Sequence, residues 1–161
     1  MFNAPDYFST IHSSLKATKD DYHFCKVSGL SHLEQVIQNM KNKRKFFAID
    51  ETDDGMTFEG GGQSFYERRT YTVFLLLYSG QINDIEKRNA AIKEARQVYR
   101  QILSKIIYDK HRSTTAGLQY LVTDNVKFDT IPSLMNGYCG LFFSIDVENP
   151  INLQYDATQW E

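Results

Sequence analysis

The densest group of side chains that could do chemistry is acidic, and it comprises Asp50, Glu51, Asp53, Asp54, Glu59 and Glu67. Carboxylates at the end of a strand can hold Mg²⁺ for phosphodiester hydrolysis, so a metal-dependent nuclease is one interpretation. Nucleases of the restriction type need an acid-x-Lys pattern on the following strand, where this sequence has Glu67-Arg68-Arg69. The pattern therefore favours a solvated acidic turn, and we expect neither a catalytic residue nor a bound metal.

Other residue types that often mark a site are scattered along the chain. The four histidines fall in separate predicted elements, and neither Cys25 nor Cys139 has a C-x-x-C neighbour, which argues against a metal site. The run Gly60, Gly61 and Gly62 is followed by neither Lys-Ser/Thr nor a helix, so it is not a phosphate-binding loop. We therefore expect no cofactor, and a structural or interaction role.

The composition is typical of one soluble intracellular domain spanning residues 1–161. Of the 161 residues 42% are hydrophobic, and the formal net charge is −2, which argues against a dedicated nucleic-acid-binding protein. No apolar run approaches the roughly 18 residues of a membrane span, and the first residues do not resemble a signal peptide. The aromatic content of 14% suits protein–protein surfaces as well as cores.

Apolar residues at helical spacing predict three helices. The first covers about Pro5 to Leu15. Ser31 is predicted to cap the second, which runs from about His32 to Asn42, because Glu34 follows at the capping-box spacing. Asn83 has Glu86 in the same relation and is predicted to cap a long helix that ends near Lys110.

Alternating apolar residues predict a mainly antiparallel sheet, giving an α+β fold with the long helix packed across one face. A short strand is predicted at 22–27, and the main strands are Phe46–Asp50, Phe65–Tyr78, Leu118–Val122 and Tyr138–Val147. We expect Pro132 and Pro150 to lie beyond strand ends. The long helix should contact the sheet through Ile92, Tyr99, Ile102, Leu103 and Ile106, which should face Phe74, Leu76, Leu141 and Phe143 or their strand neighbours.

Two segments have no clear element. Residues 53–63 combine acidic side chains with three glycines, so we predict a mobile hairpin tip or loop that becomes ordered against a partner. The C-terminal segment, residues 151–161, holds Leu153, Tyr155 and Trp160 among polar residues. We expect this aromatic segment either to fold back or to contact a partner.

The charges of the long helix and of the acidic segment are complementary. Basic residues dominate the polar face of the helix, which is either solvated or a docking face for a neighbouring subunit. In the second interpretation, Lys93, Arg96 and Arg100 receive the acidic segment of the next copy, with Asp53, Asp54 and Glu59. Such pairing predicts head-to-tail assembly that salt slows more than it unfolds the subunit.

Three stretches of the sequence carry a resemblance to a known family. They are 46–50, 67–78 leading into the helix 83–110, and Gly137-Tyr138-Cys139-Gly140-Leu141-Phe142-Phe143-Ser144-Ile145-Asp146-Val147. With the preceding helix at 32–42, this layout resembles the tail terminator and tail-completion proteins of tailed bacteriophages. The resemblance is one of element order over about three quarters of the chain.

The resemblance implies a structural phage or prophage protein and not an enzyme. It implies a ring, commonly of six copies, that stops growth of the tail tube and joins the tail to the head, with tail-tube and head–tail connector proteins as partners. It also implies assembly in the bacterial cytoplasm and a final place in the virion tail or neck. The alternative is a small intracellular binding module with an aromatic or lipid-like ligand in a pocket lined by Tyr66, Tyr71 and Phe128.

Overall fold

The structure is a computed structural model that describes residues 2–52, 54–80, 83–113, 115–135 and 137–160. Its helices are α1 (Ala4–Ser14), α2 (Gly29–Asn39) and α3 (Ile85–Arg112). Its strands are β1 (His23–Val27), β2 (Lys45–Asp50), β3 (Asp54–Glu59), β4 (Phe65–Tyr78), β5 (Leu121–Leu134) and β6 (Tyr138–Ile151). The predicted α+β class, with a long helix packed on a sheet, is confirmed.

The strands form one mixed sheet in the order β1-β2-β4-β6-β5. β1 is parallel to β2, and the other described pairings are antiparallel. β6 pairs with β4 over the whole strand, so that Phe65 lies opposite Ile151 and Tyr78 opposite Tyr138. β2 pairs with one half of β4 along its other edge, and β3 pairs with the remaining half. β4 is therefore the strand that joins the two ends of the sheet.

One face of the sheet packs against α1 and α3. α3 buries Ala95, Val98, Tyr99, Ile102 and Ile106 in this layer. From the central strands come Val73, Leu75, Leu141 and Phe143. The prediction that the long helix faces these strand positions or their immediate neighbours is confirmed. Leu141 and Phe143 lie in this layer, and Val73 and Leu75 are there in place of Phe74 and Leu76, which point to the other face.

The opposite face is covered by α2 at one end only. Phe74 and Leu76 pack there with Phe46, Leu33 and Ile37 in a separate cluster. Successive side chains of a strand point to opposite faces, so the apolar run in the second half of β4 supplies both layers. The interpretation of that half as central, with both faces covered, is confirmed.

Both predicted helix caps are wrong. Ser31 and Glu34 lie inside α2, which begins at Gly29 after Ser28, and the Ser28 side chain makes no capping bond. The cap of α3 is Asp84, one residue after the predicted position, and its carboxylate accepts a hydrogen bond from the Lys87 N–H at 3.1 Å. A capping box is a local pattern, and it does not exclude a nearby residue that reaches the same backbone groups.

The ends of the last strands also differ from expectation. Leu118–Tyr120 forms a 3₁₀ turn, and β5 begins only at Leu121. β5 is an edge strand and continues past Pro132, which lies in an irregularity of the β5–β6 register between Ile131 and Leu134, where proline is tolerated. β6 continues past Pro150, which lies opposite Tyr66 near the strand end. The two prolines were therefore wrongly predicted to lie beyond the strands.

Candidate assembly surfaces

Asp50, the first acid of the candidate metal group, has a structural role. Its Oδ1 accepts hydrogen bonds from the Gly29 N–H at 3.1 Å, the Thr52 N–H at 2.9 Å and the Thr52 hydroxyl at 2.6 Å. Gly29 is the first residue of α2, so a carboxylate from the sheet satisfies a free N–H at the start of this helix. The lone pairs that a metal would need on this oxygen are engaged.

The remaining acids of that group do not converge. Asp54 and Glu59 are exposed at the two ends of β3. Glu67 lies on β4 and forms an ion pair with Arg69 of the same strand. Asp53 lies outside the described residues. Within the described ranges, no group of three or more His, Cys, Asp or Glu side chains is arranged to hold a metal ion. The geometry of these residues gives no support to the nuclease interpretation.

We expect Asp50→Ala to lower the free energy of unfolding by about 1–2 kcal/mol, because α2 loses its N-terminal acceptor. Urea unfolding followed by far-UV circular dichroism measures this change. Asp54→Ala, a matched change of an exposed carboxylate, should shift stability by less than ~0.5 kcal/mol. Calorimetric titration with Mg²⁺ should show the same heats for both variants and the wild type; loss of tight binding in Asp50→Ala would contradict the structural role.

The hairpin arm, which we define as residues 54–70, extends the sheet beyond its helical layers. β3 pairs with the first half of β4 from Asp54 opposite Thr70 to Glu59 opposite Phe65. No residue of the arm belongs to either buried cluster. The prediction of a loop is therefore wrong for 54–59, which form a strand, and the turn is confined to residues 60–64.

The glycine run forms the tip of the arm. The Gly60 N–H donates to the Ser64 carbonyl at 2.7 Å, which closes the turn. Gly62 has φ +72°, a left-handed conformation that favours glycine. Gly61 and Gly62 are exposed and have open space around them. These residues give the tip its turn geometry and leave it free to contact a partner.

Polar pairs line the face of the sheet that α2 leaves open. Arg68 forms an ion pair with Glu148, and the Thr70 hydroxyl donates to the Asp146 carboxylate at 2.6 Å. Thr72 and Ser144 share a hydrogen bond of 3.0 Å. This pattern joins β4 to β6 across the open face, and it neutralises Arg68 and Glu148 within the subunit.

The three aromatic residues proposed for a ligand pocket do not share a face. Tyr66 stacks on Phe58 on the open face, with ring centroids 5.7 Å apart. Tyr71 is buried in the opposite layer, where its ring contacts that of Phe2 at 5.7 Å. Phe128 lies beside Tyr99 and is 46% exposed. The pocket expected for a small binding module is therefore not formed by these residues.

The basic residues of α3 are exposed along its outer side. Lys93, Arg96 and Arg100 make no ion pair with another described residue, although the Arg96 guanidinium lies 5.9 Å from the centre of the Phe128 ring. Glu94, the acid between them, points elsewhere and binds Lys45 at 2.7 Å. We name this surface the basic helix face; its charge is not neutralised within the described part of the chain.

The C-terminal segment is exposed after β6 ends. A 3₁₀ turn covers Ala157–Gln159, and Asp156 caps it by accepting hydrogen bonds from the hydroxyl and the N–H of Thr158, which hold the pKa of Asp156 below its usual value. Tyr155 and Trp160 stack at 6.1 Å, yet both are 70% exposed. Two large rings thus face solvent, and no residue of the described range 152–160 belongs to a buried cluster.

A pocket of about 260 Å³ lies at the opposite end of the sheet, and its lining residues are Ile37, Gln38, Lys41, Arg44, Tyr78, Met135 and Tyr138. The Arg44 guanidinium lies 4.7 Å from the centre of the Tyr78 ring, and the rings of Tyr78 and Tyr138 are 5.3 Å apart. The Tyr138 hydroxyl donates a hydrogen bond to the Lys43 carbonyl at 2.7 Å, and burial raises the pKa of this hydroxyl.

Sequence reasoning missed this aromatic pocket. The basic residues at its rim belong to the cluster Lys41 to Lys45, which follows the end of α2 at Asn39 and leads into β2. An aromatic residue at the end of one predicted strand and at the start of another, Tyr78 and Tyr138, was the available signal.

No protein-family model matches this sequence, and a search of curated proteins found no match. None of the described helices has a stretch that is both long and apolar enough for a membrane span.

Proposed function

We propose that this protein is a structural subunit of a tailed phage or prophage, of the tail-terminator type, which assembles head to tail into a homo-oligomeric ring. The observation that carries the proposal is the hairpin arm. It extends the sheet past both buried clusters and presents exposed acids, while α3 presents an exposed basic face on the same subunit. A subunit with one acidic surface and one basic surface suits a head-to-tail contact that repeats around a ring.

The outer edge of β3 favours an assembly role. β3 pairs with β4 alone among the described strands, so its other edge keeps free backbone N–H and C=O groups. An exposed strand edge invites pairing with other chains unless charges or a partner cover it. Asp54 and Glu59 place negative charge at the two ends of this edge. These charges disfavour pairing with an identical or acidic strand and favour contact with a basic surface of a partner.

The proposed ring fits the element order noted in the sequence. In the tail-terminator family such a ring, commonly a hexamer, ends the tail tube and contacts tail-tube and head–tail connector proteins. We propose the same partners here, with assembly in the bacterial host cytoplasm and a final place in the virion tail or neck. The exposed rings of Tyr155 and Trp160 add apolar surface for such contacts.

Charge reversal tests the contact between the arm and the helix face. An arm variant carries Asp54→Lys and Glu59→Lys, and a helix variant carries Lys93→Glu, Arg96→Glu and Arg100→Glu. We expect each variant alone to associate about tenfold more slowly than the wild type, because like charges now meet at every contact. Sedimentation velocity at low and high salt measures association, and added salt should slow the wild type without unfolding it.

Mixing the two variants is the decisive control. In an alternating ring the reversed arm of one variant meets the reversed helix face of the other, so an equimolar mixture should assemble at close to the wild-type rate. Lys16→Glu with Lys19→Glu, at exposed positions outside both surfaces, should leave assembly unchanged. Wild-type assembly by each variant alone would show that these surfaces do not meet.

A further inference from the structure

The aromatic pocket at the Tyr78 end of the sheet has the size of a side-chain site. Its volume of about 260 Å³ is below the roughly 300–1,000 Å³ typical of small-molecule sites. Its walls are ordered by the hydrogen bond from Tyr138 to Lys43 and by the packing of Tyr138 on Phe46 at 5.7 Å. A pocket of this kind accepts one large apolar side chain of a protein partner.

The rim of the pocket selects for an acidic segment with aromatic residues. Lys41 and Arg44 are exposed on the rim, and neither forms an ion pair with another described residue. Arg44 already lies over the Tyr78 ring, so a further ring can stack beside its guanidinium plane. A partner with both a carboxylate and an aromatic ring would therefore match the site.

The C-terminal segment of this same chain has that chemistry. Residues 152–161 contain Tyr155 and Trp160, the acids Asp156 and Glu161, and no Lys or Arg. Trp160 is the single tryptophan of the chain, and its ring is 70% exposed. An exposed indole is costly in water, and burial in an apolar pocket would stabilise it.

The segment cannot reach the pocket of its own subunit. Ile151 and Tyr138 are the two ends of the 14-residue strand β6, which places them about 43 Å apart at ~3.3 Å per residue. The stretch from Ile151 to Trp160 spans about 30 Å when fully extended, and the 3₁₀ turn at Ala157–Gln159 shortens it further. The occupant must therefore come from a second copy.

We propose that the C-terminal segment of one subunit binds the aromatic pocket of the next, with a ring of Tyr155 or Trp160 in the pocket and Asp156 paired with Lys41 or Arg44. The inference rests on the proposed function in that it supplies a second head-to-tail contact for the same ring. It differs from the arm contact in its residues, so the two can be separated by mutation.

A peptide-binding experiment tests the proposal. The full-length Trp160→Ser variant has no tryptophan, so a synthetic peptide of residues 152–161 carries the only indole in the mixture. We expect a saturable shift of the peptide emission to shorter wavelength as the protein is added. Arg44→Glu in the same background should weaken binding at least about tenfold. Arg112→Glu, a matched change at an exposed arginine outside the pocket, the arm and the basic helix face, should leave binding unchanged.

Charge exchange gives a second test of the site. A peptide with Asp156→Lys should bind the unchanged pocket weakly and should recover affinity for the Arg44→Glu protein. Lys41→Glu provides an independent rim variant if Arg44→Glu alters the far-UV circular dichroism spectrum. Absence of peptide binding, or equal binding by all pocket variants, would overturn the proposal.

The two proposals fail separately. If the peptide does not bind but the wild-type chain forms rings that stop tail-tube growth, the pocket inference is wrong and the proposed function stands. If the peptide binds at Arg44 as expected but the wild-type chain neither forms rings nor affects tubes, the proposed function is wrong and the pocket is a contact of another assembly.

Discussion

Gly140→Ala should lower the free energy of unfolding by at least about 4 kcal/mol, or leave no folded protein. Gly140 lies in β6 opposite Leu76 of β4, at the centre of the sheet. A Cβ atom at this position would stand 1.9 Å from the Leu75 carbonyl oxygen and 3.0 Å from its carbonyl carbon. The obstacle is backbone, so it can be relieved only by separating β6 from β4.

Gly61→Ala is the matched control for this substitution. A Cβ at Gly61 has no heavy atom within 4 Å, so the change should alter stability by less than ~0.5 kcal/mol. Urea unfolding monitored by far-UV circular dichroism, together with soluble yield, compares the two variants. Near-wild-type stability of Gly140→Ala would mean that β4 and β6 do not pair in this register.

Phe143→Ala should lower the free energy of unfolding by about 3–5 kcal/mol. Phe143 is fully buried where α1, α3 and the sheet meet. Its ring contacts those of Phe8 at 6.2 Å and Tyr99 at 5.0 Å. Truncation removes the ring and leaves a cavity, because α1, α3 and the sheet cannot all move inward to fill the space. The same urea titration measures the loss.

Phe128→Ala isolates the contribution of burial. Phe128 lies directly opposite Phe143 on the neighbouring strand and on the same face of the sheet, but it is 46% exposed. Its removal should cost about 1 kcal/mol or less. Equal losses for the two substitutions would contradict the placement of α3 over Phe143, because a covered ring and a half-exposed ring would then be energetically alike.

The central part of the fold could be predicted because its side-chain types reflect how deeply each position is buried. The second half of β4 is apolar at every position from Val73 to Leu77, which indicates a strand covered on both faces. The long helix shows its buried stripe at Ala95, Val98, Ile102 and Ile106. Buried positions of a strand or helix require apolar side chains, so the apolar residues of the sequence indicate which positions are buried.

Elements whose position depends on residues elsewhere in the chain were missed. β3 has exposed or half-exposed side chains throughout, so no alternation marks it as a strand. Its order comes from pairing with β4, and the sequence of β3 does not encode that partner. The start of α2 was misplaced for a similar reason, since its acceptor, Asp50, lies 21 positions along the chain from Gly29.

Only one of the candidate surfaces could be predicted from the sequence. Lys93, Arg96 and Arg100 could be placed on one helix face by spacing, and the structure exposes all three. The aromatic pocket could not be predicted, because Ile37 of α2, Arg44 before β2, Tyr78 of β4 and Tyr138 of β6 come together only in the folded chain. The aromatic residues at two strand ends were a signal, but they do not show which residues of α2 and of the following loop lie beside them.

Control of tail-tube length is the activity that the proposed ring would have. The tail-tube protein encoded in the same genome would be polymerised with and without this chain, and the tube lengths would be measured by electron microscopy. We expect the wild-type chain to bind as a ring at one end of each tube and to stop its growth, whereas the arm variant and the helix variant alone do not. Tubes of unchanged length, with no bound ring at saturating concentrations of the wild-type chain, would show that the protein is not a tail terminator.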